Sequence, residues 1–355
     1  MATTLLKNGR IWDGERFFHG DVLTEGKLIA KISAEITDSA DYVFDAGGKV
    51  ISPGLVDIHV HMKGIASDNF GIQAEMSSFP FGVTAVNDAG SSYGDKALLD
   101  SFAVKNTVFV CVKIKDNHAN FGVTEKQLKQ YGDKAIGIKV YFDTQMSQVY
   151  DITPLKEVCE YARKKKLMVM VHCSNSPTRM SEIISTLSAG DILTHSFHGG
   201  VHFCAEDRFA CFGLAKERGV VIDAGFAGHV HTDFKCLENS IKAGYLPDTI
   251  STDITCRSAF VRGGRYGMTM CMSIAKTLGM SEDQVFRSVT STPAKALGKA
   301  DYWGYLKVGR TADIAVFDYT DEGYDLTDKV GNRVYSDVGY RCVLTISDGQ
   351  IIYKH

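Results

Sequence analysis

The chain changes texture twice along its length. From residue 1 to about 52, "TLLKNGRIWDG", "FHGDVLTEGKLIAKISAEI" and "YVFDAGGKVISPG" alternate apolar and polar residues between glycines, the punctuation of short strands and hairpins. The same texture returns from about residue 310 in "ADIAVFDYT" and "RCVLTISDGQIIYKH". Edge strands at one end need partners, so the two ends are expected to share one small β-sandwich. Between them, eight short apolar runs recur: "GLVDIHVH", "GVTAVND", "TVFVCVKI", "AIGIKVYF", "LMVMVHC", "DILTHSF", "GVVIDAG" and "DTISTDI". Continuous apolar character predicts parallel strands buried on both faces. Stretches such as "TPLKEVCEYARKKK" and "RYGMTMCMSIAKTLGM" have helical spacing. The runs lie roughly 28 residues apart, the size of a βα unit. The pattern therefore predicts an α/β chain: a (β/α)8 TIM barrel over 53–305, with the small β-sandwich domain built from 1–52 and 306–355. An open doubly wound sheet fits less well, because no glycine-rich dinucleotide loop follows the first run.

In such barrels the active site lies at the C-terminal ends of the strands. The first run ends in His59 and His61, which share one face because they are two apart. The fourth run carries Lys139 amid Ile, Val and Phe; the fifth ends in His172, the sixth in His195 and the eighth in Asp253. Each has an ordinary reading alone: a strand-end histidine, or an aspartate capping the next helix. Lys139 is the exception, since a buried ammonium is costly unless paired or neutralised. Together, five of eight strand ends offer groups suited to a catalytic divalent metal. Four histidines and an aspartate exceed what one such ion needs and suffice for two sharing a bridge.

Composition narrows the partners. Hydrophobic residues are 45% and charged residues 23%, ordinary for a globular chain with a large core. A formal net charge of −3 argues against a nucleic-acid partner held by bulk electrostatics. Nine cysteines without CxxC pairing read as reduced residues of a cytoplasmic protein. The start, "MATTLLKNGRIWDGERF", does not read as a signal peptide, and no apolar stretch is long enough to span a membrane.

The sequence resembles the amidohydrolase superfamily. "VISPGLVDIHVH" leading into the first strand, the set HxH, Lys, His, His, Asp, and "GYLKVGRTADIAVFD" leading back to the terminal strands carry the likeness over nearly the whole chain. The resemblance implies a binuclear centre of two divalent ions, zinc being the expected metal, with manganese, iron and cobalt open. It implies that His59, His61 and Asp253 hold one ion and His172 and His195 the other. Lys139 would be N6-carboxylated, its carbamate bridging both. It further implies that a bridging hydroxide attacks an amide or ester carbonyl, with Asp253 moving the proton. Within the family, the chain looks closest to a dihydroorotase-like deacetylase group that cleaves acetyl amides or esters of small α-amino or α-hydroxy acids. Dihydroorotases usually carry an arginine where "HVHMKG" has Lys63, and "STDITCRSAF" lacks their usual continuation.

Lys63, Arg179 and Arg257 are the candidate substrate cations, and His229 the candidate pocket histidine. The second HxH, His229 and His231 in "FAGHVH", otherwise reads as a polar loop rather than a further metal site. Asn87–Ser91 and His118 follow the second and third strands and are weaker candidates. Alternatives are a cyclic amide hydrolase of dihydroorotase or dihydropyrimidinase type, an adenine-type deaminase, and a non-enzymatic scaffold. The strand-four lysine favours the binuclear hydrolase over a single-metal deaminase, and the complete ligand set opposes the scaffold. A homo-oligomer acting on a small molecule is expected.

Overall fold

A computed structural model describes residues 2–67, 69–228, 230–261, 265–320, 324–336 and 339–355. The N-terminal strands are β1 (Thr3–Trp12), β2 (Phe17–Glu25), β3 (Leu28–Ser33), β4 (Tyr42–Asp45) and β5 (Val50–Pro53). The parallel strands of the middle are β6 (Leu55–Val60), β7 (Val83–Ser91) and β8 (Lys105–Cys111). A small hairpin, β9 (Lys113–Lys115) and β10 (His118–Asn120), follows. Then come β11 (Ala135–Tyr141), β12 (Met168–His172), β13 (Ile192–Thr194) and β14 (Val221–Ile222). The C-terminal strands are β15 (Ile314–Thr320), β16 (Tyr324–Thr327), β17 (Arg333–Ser336), β18 (Gly339–Ser347) and β19 (Gln350–Lys354).

The two ends of the chain share one mixed eight-stranded sheet, ordered β19-β18-β15-β5-β1-β2-β3, with β4 also on β1. The seam is β5 against β15, antiparallel from Pro53↔Ile314 to Val50↔Phe317. One face packs Leu6, Ile11, Val22, Ile51, Ile314 and Val316 into a single apolar cluster. Trp12 ties this sheet to the helices: its indole donates to Thr290 Oγ1 at 3.0 Å, and its ring packs on Phe17 and Phe286.

The middle of the chain forms a curled parallel sheet in the order β6-β7-β8-β11-β12-β13-β14, with helices between its strands. Every residue of β6 is buried, as continuous apolar runs require when both faces are covered. The eighth run departs from expectation, because 249–254 forms no regular strand. It joins the two edges of the sheet through isolated parallel bridges, Asp223↔Thr249 and Val60↔Ile254. Near its end Asp253 leaves strand geometry, its φ of +46° lying in the left-handed region. Asp57 compensates, accepting from Thr252 Oγ1 at 2.6 Å and Thr252 N at 3.2 Å, and so clamps this segment to β6.

β11 carries Lys139, and its fit depends on Gly137. A Cβ there would lie 2.5 Å from the Phe109 ring and 2.9 Å from the Met168 carbonyl. Gly137→Ala should therefore destabilise the fold by about 1–3 kcal/mol through overpacking. A lowered thermal midpoint checks this; an unchanged one would show that β8 and β12 yield freely. Among the described residues, no helix is long and apolar enough to cross a membrane.

Candidate metal centre

The parallel strands deliver their terminal polar groups to one place. His59, His61 and Asp253 form one group, and His172, His195 and His231 another; within each group the ligand atoms lie within 4.8 Å of one another. Lys139 sits between strands bearing the two sets, with Nζ 3.2 Å from His59 Nε2. Asp253 also faces both groups: Oδ1 is 2.9 Å from His61 Nε2 and 3.3 Å from His59 Nε2, while Oδ2 is 3.7 Å from His195 Nε2 and 3.9 Å from His231 Nε2.

The rings are oriented from behind. Thr194 Oγ1 donates to Asp223 Oδ2 at 2.7 Å, so at 3.0 Å it accepts from His59 Nδ1, which leaves Nε2 with its lone pair at the centre. His195 Nδ1 donates to the Gly225 carbonyl at 2.7 Å, with the same result. His172 is anchored through the opposite nitrogen, Nε2 lying 3.3 Å from Asp143 Oδ2, which frees Nδ1. His231 Nδ1 is 3.3 Å from Ser174 Oγ. His195 and Asp253 hold these positions at φ of +63° and +46°, a cost of about 1–3 kcal/mol each that the surrounding packing supports.

Electrostatics point to a cation. Burial, reinforced by Lys139, holds His59 well below its usual range; burial also keeps His195 well below it and lowers His172. His231 is pushed down to about 3, chiefly by burial. The Lys139 ammonium is pushed down to about 8 by burial, with Asp253 opposing. Burial would raise the Asp253 carboxyl, but His59 and His61 outweigh it and hold the group well below the carboxylate range. Asp253 Oδ1 is buried and accepts no hydrogen bond among the described residues, although two imidazole nitrogens stand within 3.3 Å. At His59 a ring lone pair and a carboxylate lone pair face each other, an arrangement that divalent cations reconcile. The donor set of neutral imidazole and carboxylate fits such ions.

The structure brings together His59, His61, Lys139, His172, His195 and Asp253. It does not bring Lys63, Arg179 or Arg257 into this cluster; all three are exposed. His229 lies outside the described residues. The polar-loop reading of the second HxH is corrected for His231, whose ring lies 4.2 Å from that of His195 and 5.0 Å from that of His172, centroid to centroid. The HxH spacing was the available signal, and His231 is its described member. Asp143 also escaped sequence reading. Asp143→Asn should lower metal affinity about 10- to 100-fold by loosening His172. Metal content after dialysis against a graded chelator measures this, and wild-type retention would remove Asp143 from the account.

The model of the amidohydrolase family matches residues 50–352. A deacetylase of Enterococcus faecalis is 28% identical over 98% of this chain and 98% of its own length. An adenine deaminase crystal structure superposes with a TM-score of 0.87 at 25% identity, covering 100% of both chains. A dihydroorotase crystal structure does so at 0.86 and 24% identity, covering 99% of each.

Proposed function

The chain belongs to the amidohydrolase family and is a metal-dependent hydrolase, and from that premise we propose that it deacylates a small N-acetyl or O-acetyl carboxylic acid. The observation that carries this reading is the convergence of two ligand groups on one buried lysine and one aspartate. In this reading His59, His61 and Asp253 hold one zinc ion, and His172 and His195, with His231 beside them, hold a second. Bound there, the ions supply a hydroxide near neutral pH and polarise the carbonyl under attack.

The chain's own groups do the rest. Lys139, eased toward the neutral amine by burial, adds through Nζ to carbon dioxide; a C–N bond forms, a proton leaves, and an anionic carbamate results. The costly buried ammonium thereby becomes an oxygen ligand between the two groups. Asp253 accepts the proton of the attacking water and delivers it to the departing nitrogen or oxygen, the work of a positioned carboxylate. Thr194, Asp223, Asp143 and the Gly225 carbonyl keep the rings aimed throughout. The terminal sheet, read as the small β-sandwich domain of 1–52 and 306–355, frames the metal-bearing unit of 53–305.

Supporting the acyl reading over ring opening, Lys63 stands where dihydroorotases usually place an arginine, and over nearly the whole chain the deacetylase is 28% identical against 23% for a dihydroorotase of Lactobacillus gasseri. A screen of N-acetyl and O-acetyl α-amino and α-hydroxy acids in both configurations tests it, with dihydroorotate, hydantoin and adenine as controls. Acetate release that stops on chelation and returns with zinc or manganese is expected. Faster turnover of dihydroorotate, or ammonia from adenine, would replace the substrate assignment.

A further inference from the structure

We infer that Lys329, with His198 beside it, forms an anion subsite next to the metal centre that takes the carboxylate of the substrate; this rests on the hydrolase reading above. Lys329 comes from the turn of the β16–β17 hairpin, far from the parallel strands in sequence. The turn is fastened to the loop that carries His231. Asp328 Oδ2 accepts from Phe234 N at 2.8 Å and from Asn332 Nδ2 at 2.8 Å, and Asn332 Nδ2 also reaches Asp233 Oδ1 at 3.3 Å. Lys329 N donates to the carbonyl of Thr232, the residue after His231, at 3.5 Å.

The ammonium is placed against the loop that follows His195. A Cβ built on Gly200 would be 3.9 Å from Lys329 Nζ and 3.1 Å from His198 Nδ1. Among the described residues, no carboxylate lies within ion-pair distance of that half-buried ammonium. Asp233 and Asp328 act on it only from a distance, their Oδ1 atoms accepting from Lys235 N and Cys236 N and from Val330 N and Asn332 N. His198 is fully buried. Its Nδ1 accepts from Gly200 N at 3.0 Å, so the ring proton sits on Nε2, which has no partner among the described residues.

One corner thus holds an unpaired cation and an unsatisfied buried N–H, a few residues along two loops from metal-group members. The buried N–H without an acceptor is costly, and a small carboxylate beside the ammonium brings both the charge and the acceptor oxygens this corner lacks. A neutral carboxamide in the same place brings no charge to pair with the ammonium. The subsite therefore distinguishes acylated acids from acylated amides.

The test measures binding and turnover separately on zinc-loaded protein. N-acetyl amino acids in both configurations and their carboxamides are titrated into wild type, Lys329→Met and Lys329→Arg, with metal content measured in the same samples. Wild type should prefer the carboxylates about 10- to 100-fold, the scale of one charge-assisted hydrogen bond. Lys329→Met should lose that preference while keeping its metal and its affinity for carboxamides, and Lys329→Arg should retain most of it. Equal binding of acid and amide by wild type, no binding of either, a preference surviving in Lys329→Met, or metal loss in Lys329→Met would each overturn the subsite. Carboxylate preference without acetate release would leave the subsite standing and reject the deacylation reading instead.

Discussion

Lys139→Met should lose turnover by roughly 10³-fold or more, the consequence of forfeiting several kcal/mol of metal-derived charge stabilisation. Methionine fills a similar volume, so the strand need not collapse around it. What disappears is a completely buried side chain positioned between strands bearing the two ligand groups, with Nζ 3.2 Å from His59 Nε2. If Lys139 acts as a carbamate, its work is that of an anionic oxygen pair. Formate or acetate added to Lys139→Ala should then restore part of the activity and raise the bound metal, whereas methylammonium should not. If Lys139 acts as a cation, the order reverses and Lys139→Arg retains function. Activity titrations with each additive, with metal content measured alongside, separate the two.

Asp253→Asn should lower kcat by about 10²- to 10⁴-fold, the usual contribution of a positioned acid–base group, while most of the metal stays bound. Asparagine keeps the shape and one oxygen near His59 and His61, so the first ligand group is preserved better than it would be by alanine. It cannot carry the proton. The wild-type carboxyl is held well below its ordinary range despite burial, so it is ionised at neutral pH, the form a proton acceptor needs, and its basicity in turnover depends on the neighbouring charges. Parallel loss of kcat and metal would make Asp253 a ligand alone; near wild-type kcat would remove it from the chemistry.

The strands and the candidate metal ligands were legible in the sequence for one physical reason. Parallel strands buried on both faces must be apolar, so a histidine, lysine or aspartate at the end of such a run stands out. His59, His61, Lys139, His172, His195 and Asp253 all carry that contrast, and the structure gathers them. The eighth run was legible as a place, not as a strand. The left-handed backbone of Asp253 and the clamp of Thr252 to Asp57 are tertiary facts that no alternation records. His231 sits in a loop, where polar residues are unremarkable, and its distance from His195 is visible only once β13 and β14 are adjacent.

The candidate cations rested on residue type alone. Lys63, Arg179 and Arg257 follow the right strands, but exposure depends on packing that the sequence does not state. Lys329 lies in a stretch of ordinary hairpin texture, and it reaches this corner only because Asp328 binds the amide of Phe234, 94 residues away. The joining of the two chain ends was readable as unpaired strands needing partners, while the register of β5 on β15 was not.

Elemental analysis of the purified chain, paired with turnover of its best acetylated acid across stepwise chelation and reloading, tests the central claim most directly. Two divalent ions per chain are expected, with activity falling as they leave and returning as they are restored. A chain that binds no divalent ion, or that cleaves its substrate equally well when stripped, would contradict it.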